Sequence, residues 1–322
     1  MSRILEITTA FAAGGLLIGS IAMWLGGSIS AIEAITNLRP HLLVTATVVA
    51  IVAIGVHRPS VLLAVGAIAV LLPSTLPYLV AGDVTSDAAA PAISVLQYNT
   101  FYLNEDTVAI ADEVLDANAD VVALHEMTTD RWQEIASLIE VEYPYHVSGL
   151  GTSLSESRRF ASVLLSRSPL VEADTSSYDF APVAATTMIH GQEVLAVALH
   201  PSPSRTDPAL ISQRLELLAV TEELTSAHDG PAIIITDLNI TPTSPDYHQF
   251  IDDLQWPDPR REFGIGSTFP AGPFNPLGIA IDHVFASPDL RVVDYELGDG
   301  GGSDHRSLVA RVEFSGAAST NS

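Results

Sequence analysis

The sequence predicts a membrane-anchored α/β protein, and two patterns along its 322 residues support that class. Residues 1–81 contain three long apolar runs, whereas residues 93–314 alternate short apolar strands with amphipathic helices. Runs of this length indicate transmembrane helices, and strands that alternate with helices indicate an α/β domain. We therefore expect a three-helix membrane anchor at 1–81, a linker at 82–92, an α/β domain at 93–314 and a disordered tail at 315–322.

The predicted membrane anchor consists of three apolar runs at residues 8–27, 41–56 and 60–80. A cleavable signal peptide explains one such run but not three, and helices buried in a soluble core are rarely so uniformly apolar. Two arginines, Arg3 and Arg58, flank the runs on one side of the predicted membrane, and Arg39 flanks them on the other. Because positive charge is enriched on the cytoplasmic side, this favours a cytoplasmic N-terminus. After three crossings, the α/β domain is expected outside the cell membrane.

Composition excludes several kinds of site. The chain has no cysteine, so it forms neither disulfides nor thiolate metal sites. It has 38 acidic and 14 basic residues, all of the latter arginine, and the part beyond residue 81 carries a net charge of about −25. Such a surface repels long polyanions. Nucleic acid is therefore a disfavoured partner, although high salt would screen the repulsion.

The α/β pattern begins at residue 93 and continues to the last strand. Strands are predicted at 93–99, 120–126, 160–166, 193–200, 231–239, 279–287 and 307–312. Helices are predicted at 104–117, 128–140 and 207–227. The strand at 231–239 is the most apolar, which is typical of a strand at the centre of a sheet.

Polar residues lie at the ends of these strands or within them. They are Asn99, Glu126, His200, Asp237, Asn239 and Asp282, and Asp304 and His305 follow in the glycine-rich loop before the last strand. One such residue is readily explained as a turn former or a helix cap. Strand ends of packed sheets meet at one edge, so this many polar residues predict one shared site.

The types of these residues suggest a hydrolytic metal site. Glu126, with Asn99 and Asp304 nearby, offers the hard oxygen ligands that Mg²⁺ or Mn²⁺ prefers. Two histidines would also suit zinc, but with several carboxylates they fit a hydrolytic site equally well. No G-x-S-x-G sequence and no glycine-rich nucleotide loop supports another catalytic class.

The remaining residues fit the handling of water and phosphate. Asp237 can orient or deprotonate a water, and Asn239 can hold that water or a phosphate oxygen. Asp282 can orient His305 so that the imidazole donates to a phosphate oxygen.

The order of these motifs resembles the endonuclease/exonuclease/phosphatase superfamily over residues 93–314. The matching segments are Asn99, His125-Glu126, Leu199-His200-Pro201, Thr236-Asp237-Leu238-Asn239, Ile281-Asp282-His283-Val284-Phe285 and Ser303-Asp304-His305. The resemblance implies a four-layer α/β sandwich of two packed mixed β-sheets flanked by helices, and Mg²⁺-dependent hydrolysis of a phosphoester or phosphoanhydride.

Residue roles follow from the same resemblance. It implies that Glu126 is the principal metal ligand, assisted by Asn99 and Asp304. Asp237 and Asn239 would serve the attacking water, and His200 and the Asp282–His305 pair would serve the phosphate oxygens.

Two positions depart from the family pattern. His125 precedes the metal-binding glutamate where the family commonly has glutamine, so the hydrogen bonds around that ligand are expected to differ. Thr236 and Leu238 flank Asp237 where the family often has glycine and phenylalanine. The other histidines of the domain are expected to be structural or exposed: His146, His190, His228, His248 and His283.

The substrate stays open between three readings. Residues 200–204 resemble the histidine loop of membrane-anchored bacterial members, the actinomycete teicoplanin-resistance membrane phosphatases among them. This implies a phosphatase acting on a polyprenyl diphosphate-like, lipid-linked substrate at the outer membrane face. One alternative is an extracytoplasmic Mg²⁺-dependent nuclease, and another is a membrane protein that binds a lipid phosphate or a partner without catalysis. The sequence indicates the lipid bilayer as a partner and identifies no protein partner.

Overall fold

The computed structural model describes residues 3–24, 35–80, 82, 84–87, 90–152, 159–203, 206–272, 275 and 277–315. Three helices come first: α1 Arg3–Ala22, α2 Arg39–Val56 and α3 Arg58–Thr75, the last followed by a 3₁₀ turn at Leu76–Tyr78. All three are long and apolar enough to cross a membrane. The predicted runs therefore correspond to helices, although residues 25–27 of the first lie outside the described ones.

The three helices pack through small residues and present larger apolar ones outward. Ala13, Ala46 and Ala67 are fully buried between the helices, so their backbones approach closely. Phe11 and Leu62 are each 78% exposed. Large apolar side chains at such exposure suit contact with lipid rather than water.

The rest of the described chain forms eleven strands and five helices. The strands are β1 Ala92–Asn99, β2 Val121–Met127, β3 Tyr145–Ser148, β4 Ala161–Ser166, β5 Leu170–Glu172, β6 Val183–Ile189, β7 Gln192–Leu199, β8 Ala232–Asp237, β9 Asp282–Ala286, β10 Leu290–Leu297 and β11 Leu308–Phe314. The helices are α4 Thr107–Ala117, α5 Thr129–Ile139, α6 Pro208–Ala227, α7 Pro245–Leu254 and α8 Arg260–Phe263.

The strands form two mixed sheets. One sheet has the order β10-β11-β1-β2-β4-β3, and the other has the order β5-β6-β7-β8-β9. The pairs β1–β2 and β7–β8 are parallel, and the other neighbouring pairs are antiparallel. The parallel pairs place the ends of β1, β2, β7 and β8 at a common edge, as expected for strands joined by helical crossovers.

Alternation along the strands divides the side chains among three cores. In β1, Ile93 and Val95 enter the core between the sheets, whereas Leu96 and Tyr98 face α4 and α5. In β8, Ile233 and Ile235 enter the same inter-sheet core, while residues on the other face pack against α7. The order helix, sheet, sheet, helix confirms the four-layer α/β sandwich.

All seven predicted strands and all three predicted helices of this domain are present, with ends that shift by a few residues. The largest shifts are of three residues: α4 begins at Thr107 rather than at residue 104, and β9 begins at Asp282 rather than at residue 279 because Ile279 pairs with Phe269 instead. The sequence reading missed four strands (β3, β5, β6 and β10) and two helices (α7 and α8). Of the predicted tail, residues 316–322 lie outside the described ones.

Candidate active site

Because side chains alternate along a strand, four polar side chains point into the layer between the two sheets at one end of the strands. Asn99 continues the inward face of β1 set by Ile93 and Val95. Asp237 and Asp282 belong in the same way to the inward faces of β8 and β9, and they are register partners. His200 follows β7 on its inward face. Because residues two apart share a face of a strand, the apolar core and this polar cluster are parts of one layer.

Glu126 reaches the same cluster through an irregularity in β2. The pairing between β2 and β4 shifts between Leu124 and Met127, so that His125 and Glu126 lie opposite the single residue Ser162. Glu126 has a φ of 58°, in the left-handed region, and His125 hydrogen-bonds Ser162 Oγ through Nδ1 at 2.8 Å. Strict alternation would turn Glu126 away from the sheets' interior, and the β-bulge redirects it into the site.

A glycine-rich loop places Asp304 and His305. Residues 300–302 are all glycines with positive φ, and a Cβ on Gly300 would lie 2.2 Å from the backbone oxygen of His305. Only glycine fits there. Ser303 then donates its hydroxyl to Asn99 O at 2.7 Å and accepts the His305 amide at 3.0 Å, which ties the loop to the end of β1.

The side chains meet around the buried carboxylate of Asp237. Its Oδ2 accepts from Asn99 Nδ2 at 2.9 Å, and it lies 3.4 Å from His200 Nε2 and 3.7 Å from His305 Nε2. Asn99 Nδ2 also approaches Glu126 Oε1 at 3.2 Å, and His200 Nε2 lies 3.8 Å from that oxygen. The predicted residues of four strand ends are therefore within a few ångströms of one another.

Asn239 borders the cluster rather than entering it. Its backbone N–H donates to Asp237 Oδ1 at 3.0 Å, its side-chain amide donates to Pro201 O at 3.1 Å, and its φ is 58°. The left-handed turn thus joins the loop after β8 to the loop that carries His200. Such strained positions are common where a side chain must be held for function.

His305 and Asp282 form a buried pair beside Asp237. His305 Nδ1 lies 2.9 Å from Asp282 Oδ2, and the other Asp282 oxygen accepts from Gln97 Nε2 at 2.8 Å. This leaves His305 Nε2 facing the cluster. The arrangement fixes which nitrogen is offered to a substrate, the orienting role that an acid plays for a catalytic histidine.

Charges in this buried site shift several pKa values. Burial and the neighbouring charge of Asp282 raise the pKa of Asp237 to about 7, although His305 and Asn99 oppose the shift. Burial alone would lower the pKa of His305, but the charges of Asp282 and Asp237 raise it to about 10. Burial would raise the pKa of Asp282, yet the charge of His305 and its hydrogen bond keep it below its ordinary value. The neighbouring carboxylates therefore favour the cationic form of His305, and Asp237 holds a proton more readily than an ordinary aspartate.

The donor set fits a divalent cation. The Glu126 side chain is 16% exposed, and Asp304 Oδ1 is buried without a hydrogen-bond partner. Burial raises the pKa of Asp304, and the charge of Glu126 adds to the shift while His305 opposes it. An unpartnered oxygen beside uncompensated negative charge is what a hard cation would satisfy.

A second group of possible ligands lies at Asp237, Asp282 and His305, with ligand atoms within 4.8 Å of one another. Both oxygens of Asp282 already accept hydrogen bonds, and His305 uses Nδ1 for that carboxylate. Glu126 also accepts, from Asn99 Nδ2 at 3.2 Å and from the Tyr102 N–H at 3.0 Å, but its side chain is 16% exposed and the nearby Asp304 Oδ1 has no hydrogen-bond partner. Asn99 enters through its amide nitrogen, because its Oδ1 accepts from the Phe101 N–H at 3.0 Å. Its predicted role as an oxygen ligand stays a prediction.

Three supporting residues were missed by the sequence reading. Gln97 is fully buried and donates to Asp282. In the sequence, the sign of such a role is an amide residue within a largely apolar strand. Arg131 donates to Phe101 O at 2.7 Å and to the Thr100 hydroxyl, which stabilises the loop after Asn99. Arg214 lies 3.4 Å from both Ser202 O and Leu238 O, so it links the histidine loop to the segment after Asp237.

Other histidines lie apart from the reacting cluster. His283 is fully buried on the outward face of β9, where Arg260 Nε donates to Nδ1 at 3.3 Å and Nε2 contacts Ile240 O at 2.9 Å. Burial and the charge of Arg260 lower the pKa of His283 to about 3. His146 packs on Trp132, and His190 contacts Ala92 O at 3.0 Å. These surroundings agree with structural roles.

Comparison with known proteins gives one matching family. The model described as the Endonuclease/Exonuclease/phosphatase family matches residues 96–305. No curated protein matches the chain.

Solved structures with the same fold include proteins of three organisms. An endonuclease/exonuclease/phosphatase from Beutenbergia cavernae DSM 12333 is 21% identical, with a TM-score of 0.54 over 70% of this chain and 72% of that one. The human Nocturnin catalytic domain with bound sulfate is 20% identical, with a TM-score of 0.53 over 70% and 96%. A double mutant of Staphylococcus aureus beta toxin with bound magnesium ions is 15% identical, with a TM-score of 0.51 over 68% and 98%.

Proposed function

Because the chain belongs to the endonuclease/exonuclease/phosphatase family, whose members hydrolyse phosphoester bonds, we propose that it is a membrane-anchored, metal-dependent phosphatase acting on a lipid-linked phosphate. The observation that carries the proposal is the buried cluster in which Asp237 Oδ2 lies within 4 Å of both His200 Nε2 and His305 Nε2. This combines a carboxylate that can accept a proton with two imidazoles that can donate to phosphate oxygens.

We assign the metal to the Glu126 side of the cluster. The Glu126 side chain is 16% exposed, Asp304 Oδ1 is buried without a hydrogen-bond partner, and Asn99 lies between Glu126 and Asp237. Members of the family depend on divalent metals, and the beta toxin structure contains magnesium ions. We therefore propose that the metal is Mg²⁺, and that Mn²⁺, which prefers the same ligands, can replace it. When bound, such an ion would neutralise charge on the phosphoryl oxygens.

The chain's own residues account for the proton movements. Asp237, with its pKa raised to about 7, accepts a proton from the attacking water, and Asn239 holds the turn beside it. His305 donates from Nε2 to a phosphate oxygen while Asp282 stabilises the imidazolium through Nδ1. His200 supplies the second donor. These groups are buried, so water does not weaken their hydrogen bonds.

A lipid-linked substrate is supported by the surroundings of the cluster. Tyr102 and Leu103 lie beside Glu126, and they are 45% and 60% exposed. Phe160 stacks on Tyr102 and on His200, at ring-centre distances of 5.6 and 5.8 Å. An apolar rim at a phosphate site suits a substrate that has an apolar part. Three helices of the same chain are long and apolar enough to cross a membrane, which supports a substrate presented at a bilayer.

A substrate panel tests the proposal. Purified full-length protein in detergent is assayed with Mg²⁺ on a polyprenyl diphosphate, an inositol phosphate, sphingomyelin and DNA, in parallel with Asp237→Asn. We expect phosphate release from the polyprenyl diphosphate by wild type, and a loss of at least ~100-fold for Asp237→Asn. Metal-dependent cleavage of DNA without activity on lipid phosphates would instead identify a nuclease. Turnover of no substrate would support a binding protein without catalysis.

A further inference from the structure

The membrane anchor is hydrogen-bonded to the loop that follows the catalytic strand β8. This β8–α7 loop comprises residues 238–244 and begins one residue after Asp237. Asn37, between α1 and α2, accepts with Oδ1 from the Thr241 N–H at 3.0 Å and from the Thr241 hydroxyl at 3.2 Å. Thr241 is 4% exposed and lies two residues from Asn239. The contact therefore acts on the turn that borders the reacting cluster.

Arg39 makes a second connection to the same loop. It is 4% exposed, and it donates to Thr243 O in the β8–α7 loop and to Met23 O at 2.9 Å near the end of α1. Its guanidinium also lies 5.8 Å from the ring centre of Trp24. A buried arginine that satisfies carbonyls on both bodies is a strong structural link, because removing it leaves buried acceptors unpaired.

A third connection starts at Tyr78, in the 3₁₀ turn that follows the last helix of the anchor. The hydroxyl of Tyr78, which is 1% exposed, donates to Asp258 Oδ2 at 2.6 Å. Asp258 also accepts from Tyr247 of α7 at 2.8 Å and contacts Arg261 Nε at 3.3 Å. Two residues on, Arg260 donates to the backbone oxygen of Asp282. This contact is thus linked to the strand that carries the partner of His305.

All three connections lie at the end of the five-stranded sheet where Asp237 and Asp282 contribute to the active site. Asp237 ends β8 and Asp282 begins β9, and the two are register partners at that end. The β8–α7 loop leaves from it, and α8 lies in the segment that returns to it. The end of the helical anchor therefore abuts the site-bearing end, and not the opposite end of the sandwich.

We propose that the membrane anchor helps to fix the geometry of the active site. Asn37 and Arg39 are positioning residues, because they hold the β8–α7 loop and, through that loop, Asn239 and Asp237. The inference rests on the proposed function for its effect on rate. It differs from a tether, in which residues 82–92 alone keep the domain near the membrane. A tether would affect only substrates in lipid, whereas a positioning anchor affects turnover of every substrate.

Three variants of the full-length chain test the inference. Arg39→Gln and Asn37→Ala each remove one connection, and Asn37→Ala is the milder change because Asn37 is half-buried. Arg58→Gln is the matched control, since Arg58 is exposed at the opposite end of the anchor. All are purified in detergent with Mg²⁺ and assayed on a water-soluble aryl phosphoester and on a polyprenyl diphosphate.

We expect Arg39→Gln and Asn37→Ala to lower kcat on both substrates by roughly 10- to 100-fold, because small misplacements of catalytic groups have effects of this size. KM for the soluble substrate should change little. Arg58→Gln should match wild type. A loss confined to the lipid substrate would overturn the inference in favour of a tether.

Amide hydrogen exchange provides a readout that does not depend on activity. We expect faster exchange in residues 238–244 for Arg39→Gln and Asn37→Ala than for wild type or Arg58→Gln, with unchanged exchange in β1. If the protein turns over no phosphoester, the proposed function is wrong, and this measurement still decides the positioning role. Equal exchange in all four proteins would overturn it.

Discussion

At the scale of single residues, the site combines four carboxylates, those of Glu126, Asp237, Asp282 and Asp304, with the two imidazoles of His200 and His305. Burial opposes the charge of His305, but the charges of Asp282 and Asp237 favour its cationic form and raise its pKa. Burial and the charge of Asp282 raise the pKa of Asp237 to about 7. The different surroundings make Asp237 suited to accept a proton and His305 suited to donate one, although the two side chains lie within 4 Å of each other.

Replacing Asp282 should move the alkaline limit of activity. His305 donates from Nε2 only when it is protonated, and Asp282 is the largest source of its raised pKa of about 10. In Asp282→Asn that charge is lost, so the pKa of His305 falls and activity should be lost at lower pH. We expect the alkaline limb of the kcat/KM profile to shift downward by more than about one pH unit. Asp289→Asn, at an exposed position, is the control. An unshifted alkaline limb would show that His305 is not the donor.

Several features of the site could be predicted from residue types and order, and others could not. Asn99, Asp237 and Asp282 are polar residues at the ends of apolar strands, so their convergence follows from the sheets. The direction of the Asn99 amide depends on the Phe101 N–H, which is a local contact that spacing does not reveal. The β-bulge that turns Glu126 inward is likewise invisible, because it depends on pairing with Ser162 in another strand.

At the scale of elements, the inter-sheet layer supports the catalytic edge. Ile233 and Ile235 fill this layer along β8 and are fully buried, and Asp237 ends the same face. Close packing of these strands fixes where their last residues lie. Stability of the layer and geometry of the site are therefore coupled.

A cavity in this layer should destabilise the α/β domain. Ile235→Ala removes buried methyl and methylene groups, and we expect the free energy of unfolding to fall by roughly 2–5 kcal/mol. Urea unfolding followed by tryptophan fluorescence, with Trp132 and Trp256 as reporters in the domain, measures the change. Val171→Ala is the control, since Val171 is 68% exposed. An equal effect of the two substitutions would refute the assignment of Ile235 to a packed core.

Three of the strands missed in the sequence, β3, β5 and β10, are short or irregular. β3 and β5 have four and three residues, too few for a clear alternation. β10 contains a register shift between Val292 and Asp294, which interrupts its pattern. Long apolar strands such as β8 were predictable because burial on both faces leaves a continuous apolar run.

At the scale of the whole molecule, the anchor and the α/β domain are joined by hydrogen bonds between residues about 200 positions apart. Asn37 contacts Thr241, and Tyr78 contacts Asp258. No periodicity in either segment predicts these contacts, because they depend on how two independently patterned bodies meet. The three-helix pattern itself was predictable from length and composition.

Cysteine labelling tests the proposed orientation in the membrane. The natural chain has no cysteine, so a single introduced thiol reports one position without background. Ser176 is exposed in the α/β domain, and Arg58 is exposed at the opposite end of the anchor. With the N-terminus in the cytoplasm, Ser176→Cys should react with a membrane-impermeant maleimide in intact cells, and Arg58→Cys only after permeabilisation. The reverse pattern would place the domain in the cytoplasm.

The most direct test of the account is the metal dependence of phosphate release by Glu126→Gln. Glu126 is the carboxylate that the β-bulge turns into the site, and its side chain is 16% exposed. Its amide variant keeps the shape of the side chain but loses the negative charge that is proposed to hold the cation. Phosphate release from a polyprenyl diphosphate is titrated with Mg²⁺ after chelation, with Glu105→Gln as the exposed control. We expect Glu126→Gln to lose at least ~100-fold in kcat/KM and to require more Mg²⁺, while Glu105→Gln matches wild type. Wild-type rate and Mg²⁺ response in Glu126→Gln would contradict the account.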